Sequence, residues 1–288
     1  MYPRLALNTL PVELLYEIQQ FATSESLPLS SRHFYAVFKS APTSVHAQYL
    51  IGRYLHHSEY ARAGLATIVL RYPICTQSVL EAIFRSPDCP ATHLQNGRTA
   101  TELPRRLFRT LTPRLSNRPS RKRKRGSDVN GNWSEDDEPI PFLRYLYDHP
   151  RIPPPFTNSY DGYALTKAVH VGFVPLVRFL LDHDASPARK DGLAVMVAIR
   201  RKDLALVRML IEPDSQADQR PKAKPREGND TKEYLSSKRR KLEDRMIVSQ
   251  AMLKMAVKCD AREIVDYFMK EKGCIPDMQT VLTMAPSK

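Results

Sequence analysis

The sequence predicts an all-α protein built on a repeated pair of helices. The first observation is a self-copy. Ala164-Leu165-Thr166-Lys167-Ala168-Val169 is followed by Leu176-Val177-Arg178-Phe179-Leu180-Leu181, and the same frame returns as Ala194-Val195-Met196-Val197-Ala198-Ile199 and Leu206-Val207-Arg208-Met209-Leu210-Ile211. The offset is 30 residues at every position, from Leu165 to Val195 and from Leu180 to Leu210. The second observation is the period within each copy. Leu165, Ala168 and Val169 fall at i, i+3 and i+4, on one face of a helix. The third is that two further stretches fit the frame, 142–149 on one side and 252–257 with 264–269 on the other. Self-similarity at a fixed period of this size marks a repeat array.

The chain opens with Leu10-Pro11-Val12-Glu13-Leu14-Leu15-Tyr16-Glu17-Ile18. Asn8 or Thr9 can cap a helix here. Pro11 suits its first turn, and Glu13 favours its positive end. Leu14, Leu15 and Ile18 give it an apolar face. With the later Leu29-Ser30-Ser31-Arg32-His33-Phe34, this segment resembles the F-box, at a short spacing between its two parts. The resemblance covers residues 10 to about 39 and assigns 1–44 to an F-box-like segment. It implies that Leu10, Pro11, Leu14, Leu15 and Ile18 hold the linker subunit of a cullin–RING (SCF) ubiquitin ligase.

Residues 45–116 read as a helical region, possible as a worn further repeat or as a separate helical layer. Stretches 45–55 and 65–84 carry helical periodicity, and Pro73 divides the second. Leu103, Leu107, Leu111 and Leu115 recur every fourth residue among arginines, which predicts a short surface helix limited by Pro113.

Residues 117–139 read as a linker with too little apolar content to fold. Arg121-Lys122-Arg123-Lys124-Arg125 gives way there to Ser134-Glu135-Asp136-Asp137-Glu138. The basic run has the pattern of a nuclear localisation signal, an exposed positive cluster for an import receptor's acidic groove. Serine ahead of acids has the pattern of an acidophilic kinase site.

The repeats occupy 140–213. In the clearest copy Gly172 ends the first helix, and Phe173-Val174-Pro175 turns the chain into a second helix that is apolar almost all round. Asp184-Ala185-Ser186-Pro187 then breaks it. One such pair cannot cover its own apolar surface, so copies stack. Helix, Gly, short turn, Leu-Val-x-x-Leu-Leu, Asp-x-x-Pro and Lys190-Asp191-Gly192 together resemble the ankyrin repeat. The copies are degenerate. Tyr163-Ala164-Leu165-Thr166 stands for the usual opening, and Asp184 and Lys202 replace expected glycines. The resemblance implies hairpins between copies and a partner-binding face on the hairpins and first helices: Lys167, His170, Lys190, Asp191, Arg200 and Arg201. The predominance of basic residues there suggests an acidic partner.

Residues 214–245 form a second insertion, expected to be disordered, with a basic cluster at Lys238-Arg239-Arg240-Lys241. Residues 246–288 hold the last copy and a C-terminal cap. The fold class is thus an all-α, ankyrin-like helical repeat solenoid with an F-box-like N-terminal segment and two disordered basic insertions.

Composition fits this reading. Of 288 residues 42% are hydrophobic, enough for a core, and the formal net charge is +13. Much of that charge is concentrated. Residues 103–126 hold ten Lys or Arg and no acid. No run of 18 apolar residues predicts a membrane span. Cys75, Cys89, Cys259 and Cys274 stand far apart, which supports neither a zinc ribbon nor a redox motif. No phosphate loop, Gly-x-Ser-x-Gly or metal-ligand spacing occurs, so neither an enzyme nor a cofactor is expected.

The expected function is protein binding, as a ligase substrate receptor whose repeats hold the substrate. The alternative is a nuclear ankyrin-type scaffold without ligase attachment. Nucleic acid is a secondary partner, reached through phosphates. The location is nucleus, cytoplasm or both. Replacing residues 121–125 and 238–241 with alanine should shift a fluorescent fusion from nucleus to cytoplasm. An unchanged distribution would reduce both clusters to solvated charge.

Overall fold

The computed structural model describes residues 7–56, 64–90, 100–113, 133–213 and 244–284, with side chains up to Val281. Both basic clusters, 121–125 and 238–241, lie outside the described residues, as does the insertion 214–243. The fold is mostly helical, with one short strand pair among the described residues. The chain divides into two units. One holds residues 1–107 and 141–156, the other 108–140 and 157–288.

In the first unit, a 3-10 turn over Leu7–Thr9 precedes helix α1, Val12–Ala22. Asn8 and Thr9 are therefore not its cap. Pro11 takes the N-cap position with extended ψ, and no side chain caps the helix. Leu15 packs on Phe34 and Phe38 of α2, Arg32–Lys39, with Leu10, Tyr16, Leu27 and Val37 around them. Ser31 caps α2 by accepting from the Phe34 amide at 3.1 Å. The long α3, Thr43–His56, packs on α1 and on α5. The short α4, Leu65–Val69, is buried along its whole length, and Thr76 caps α5, Gln77–Arg85. These match the helices read from 45–84.

The leucine series from 103 is different. Thr101–Glu102 forms strand β1, and only Arg106–Arg109 is helical (α6). Leu103 and Leu111 are buried rather than displayed on a surface helix, and Leu115 lies outside the described residues. Two features stop a longer helix. Pro104 favours an extended residue before it. The Arg106 guanidinium is turned inward to the carbonyls of Leu70 (2.6 Å) and Cys75 (3.1 Å). The next helix is α7, Ile140–Asp148. His149 beyond it stacks on Phe84 at 4.7 Å, and Arg151 donates to the Phe84 carbonyl. Strand β2, Pro155–Phe156, pairs parallel with β1. Residues 142–149, read as the first repeat copy, thus belong to the first unit.

The second unit contains three helix pairs with a common turn. They are α8 (Ser159–Val171) with α9 (Val174–Asp182), α10 (Arg189–Arg200) with α11 (Leu204–Ile211), and α12 (Gln250–Lys258) with α13 (Arg262–Asp266). Helix α13 runs on as a π-helical turn, Tyr267–Glu271, and α14, Met278–Met284, follows. Each first helix ends in a left-handed residue: Gly172 (φ 78°), Lys202 (φ 56°) and Asp260 (φ 50°). Their amides donate to the carbonyls of Val169 (3.1 Å), Ile199 (2.9 Å) and Val257 (2.9 Å). The following amides, of Phe173, Asp203 and Ala261, donate to Ala168 (2.9 Å), Ala198 (3.3 Å) and Ala256 (3.0 Å). This is the Schellman arrangement, made three times.

The three alanines are fully buried, and their small side chains suit the packing of α8 on α10 and of α10 on α12. At their starts, α8 and α10 each contain three successive left-handed residues: Tyr160, Asp161 and Gly162 in one, Lys190, Asp191 and Gly192 in the other. The hairpin implied by the ankyrin resemblance is a set of turns without strands. Asn158 joins two of them. Its side chain accepts from the Ser186 amide (2.8 Å) and donates to the Asp184 carbonyl (2.9 Å). Thr157 adds a bond to the His183 carbonyl at 3.0 Å.

Residues 133–139, read as unfolded linker, are ordered in this unit. Trp133 stacks on Phe173 with ring centroids 4.2 Å apart. The Asp137 carboxylate is buried and accepts from the Ser134 amide at 2.8 Å. One aromatic anchor and one side-chain cap replace the apolar content that the segment lacks.

The insertion leaves and returns at one place. The Arg245 amide donates to the Ile211 carbonyl at 2.7 Å. Lys272 reaches Asp244 at 2.8 and 2.9 Å and Glu212 at 3.5 Å. Tyr267 donates to Glu212 at 2.9 Å.

Left-handed φ costs a residue with a side chain about 1 kcal/mol. Lys202→Gly should therefore raise stability by up to about 1 kcal/mol in chemical denaturation. Gly172→Ala should lower it by more, because a Cβ there would stand 2.6 Å from Arg201 Nη2. Shifts of the same sign in both variants would count against the shared turn.

Candidate binding surfaces

The apolar face of α1 is split between core and solvent. Leu15 is 1% exposed, whereas Leu14 is 43% exposed and Phe21 83%. Leu10 and Ile18 are half-buried and Pro11 is exposed. Leu14, Ile18 and Phe21 lie four and three residues apart, on one helical face. With Leu10, Glu17 and Ala22 they line a shallow groove. A second groove shares Ile18 and Ala22 and continues past Leu27 to Leu29.

One sequence expectation changes. Leu15 belongs to the core, so it is not available to a partner. Leu29 is 76% exposed. Phe21 was missed by sequence reasoning, although its place seven residues after Leu14 was the signal.

A polar network fixes the rim of this surface. The Arg53 guanidinium donates to the Tyr72 hydroxyl (3.1 Å), the Thr23 carbonyl (2.8 Å) and the Glu25 carboxylate. Tyr72 donates to the same carboxylate at 2.9 Å. Burial pushes the Tyr72 hydroxyl up to about 12, so it remains a donor near neutral pH. Gln19 and Tyr49 both donate to the Ser24 carbonyl, at 2.7 and 3.2 Å. The turn after α1 is thereby held to α3 and to Tyr72 through side chains. No short motif announced Arg53, because its partners lie far away in sequence.

The second surface is formed by the first helices of the three pairs. His170, Arg200 and Lys258 occupy equivalent places in the last turns of α8, α10 and α12, and all three are exposed. Lys258 was absent from the predicted face, although the 88-residue offset from His170 marks it. Basic residues at helix C-termini are also favourable to the helix dipole. Lys167 is half-buried; Lys190 and Asp191 are exposed. Lys190 stands 3.9 Å from Asp161 of the neighbouring pair.

Arg201 plays another part. Its guanidinium donates to the His170 carbonyl at 2.8 Å and so closes the end of α8. It joins two helix pairs while remaining an exposed member of the predicted face.

Other chemistry is sparse. The four cysteines are free. Burial pushes the Cys75 thiol up to about 12, far from a reactive thiolate. Among the described residues, no group of three His, Cys, Asp or Glu is placed to hold a metal ion, and no helix is long and apolar enough to cross a membrane. No family model, curated protein or solved structure matches the chain.

Arg200 and Arg201 should therefore respond differently to neutralisation. Arg201→Ala should lower stability by about 1 kcal/mol through the lost bond to His170. Arg200→Gln should stay within about 0.5 kcal/mol of the parent. Equal losses in thermal unfolding would reject the distinction.

Proposed function

We propose that the chain is a protein-interaction protein in which an F-box-like segment docks a ligase linker subunit and an ankyrin-like array holds a substrate. The observation that carries this reading is the divided stripe of α1. Leu15 ties the helix to its own core, while Leu14, Ile18 and Phe21 remain on the surface. A docking helix needs both properties. The three recurring turns support the array, since stacked pairs offer an extended face rather than a deep pocket. The exposed row His170, Arg200 and Lys258 supports an acidic partner for that face.

A second reading, a nuclear scaffold without ligase attachment, draws on the same basic row together with the two basic clusters. It makes no use of the α1 groove. Purified linker subunit and a pull-down separate the two readings. Wild-type protein should capture the linker subunit. Leu14→Ala/Phe21→Ala should lose roughly thirtyfold or more in affinity, since a buried interface anchor is worth about 2 kcal/mol, with circular dichroism unchanged. Leu15→Ala should instead cost about 3 kcal/mol of fold stability. Failure of the wild-type protein to bind would remove the ligase reading and leave the scaffold.

A further inference from the structure

The acidic turn at 133–138 carries more than either binding surface requires. Ser134 is exposed at its start, and Glu135, Asp136, Asp137 and Glu138 follow directly. A kinase with a basic substrate groove selects a hydroxyl followed by this charge pattern. The turn is held by two side-chain bonds, beside the backbone bond from the Asp137 amide to the Ser134 carbonyl at 3.2 Å. The Ser134 amide donates to Asp137 Oδ2 at 2.8 Å, and the Ser134 hydroxyl accepts from the Asp136 amide at 3.2 Å. Asp137 is 2% exposed, so its carboxylate is already drawn out of water.

The residue before the turn is the chain's single tryptophan. Trp133 lies flat on Phe173, at 4.2 Å and an interplanar angle of 15°. Phe173 is fully buried in the turn between α8 and α9. The Trp133 indole N–H is buried without a hydrogen-bond partner among the described residues. The stack lies next to a hydroxyl that can acquire charge.

We infer that Ser134 is a phosphorylation site whose modification opens the 133–137 turn and lifts Trp133 from Phe173. In the reaction, the Ser134 oxygen forms a bond to the γ-phosphorus of ATP. The bond from that phosphorus to the β,γ-bridging oxygen breaks, ADP leaves, and the hydroxyl proton passes to the kinase's base. The phosphate brings nearly two negative charges beside Asp136 and Asp137. The Ser134 oxygen, now esterified and crowded by the phosphate, no longer fits under the Asp136 amide. Repulsion then acts on Asp137, which cannot move toward water without releasing the Ser134 amide. Both side-chain bonds of the turn fail together. The buried position of Asp137 also means that the kinase engages the opened turn, so the modification traps a conformation that the resting protein visits.

The 288-residue protein is treated with casein kinase II and ATP, and its sites are mapped by mass spectrometry. Trp133 emission and its quenching by acrylamide are followed in parallel. Phosphate should appear on Ser134, with a red shift of emission and faster quenching. Ser134→Ala should keep the emission of the untreated protein before and after the kinase. Asp137→Asn, which removes the charge that the phosphate opposes, should be modified with a smaller shift. No phosphate on Ser134 would overturn the site. Phosphate on Ser134 with unchanged Trp133 emission would overturn the opening, as would a solvent-like emission in the untreated protein.

Discussion

The second unit depends on one turn, in which a left-handed residue ends a helix and two amides reach back to its last carbonyls. That turn reverses the chain within a few residues. It sets the second helix against the first, so the apolar faces of both meet. Glycine at 172 makes it without strain, whereas Lys202 and Asp260 make it at a cost. The cost is met by what the turn permits: buried alanines at 168, 198 and 256 and fully buried Val177, Val207 and Phe268. Three copies made with different turn residues indicate that helix packing, more than local preference, dictates this conformation.

The large insertion leaves this packing undisturbed because its ends are closed on each other. Lys272 holds Glu212 and Asp244 together, and the Arg245 amide meets the Ile211 carbonyl. Loop-closure cost grows only with the logarithm of length. Thirty residues can therefore be added at such a base with little penalty to the helix packing. The N-terminal unit uses a related device. Arg53 gathers Thr23, Glu25 and Tyr72, residues from separate parts of the chain, and so holds the turn after α1.

Both candidate surfaces follow from incomplete burial. Helix α1 offers more apolar surface than α2 and α3 cover, which leaves Leu14 and Phe21 in solvent. The first helices of the repeated pairs bury their alanine faces against each other and leave the ends of their last turns outside. Basic residues there satisfy the helix dipole, and the recurrence of the turn places them in a row. The groove is apolar and the row is positive, so the two surfaces fit different kinds of partner.

The sequence by itself determined the helix pairs, their 30-residue frame and the apolar character of α1. Each rests on local periodicity and chain punctuation, which are written into neighbouring residues. It did not determine which side of α1 faces inward, because Leu14 and Leu15 are equally apolar. Only the packing of Phe34 and Phe38 selected Leu15. Nor did it separate Arg200 from Arg201, identical neighbours of which one reaches a carbonyl on the preceding helix pair. The leucine series from 103 looked like a surface helix because spacing says nothing of Arg106 bonding to Leu70 and Cys75. The stretch 133–139 looked unfolded because composition does not register one tryptophan stacked on one distant phenylalanine. In each case a contact between residues far apart in the chain decided the outcome, and such contacts exist only once the fold has formed.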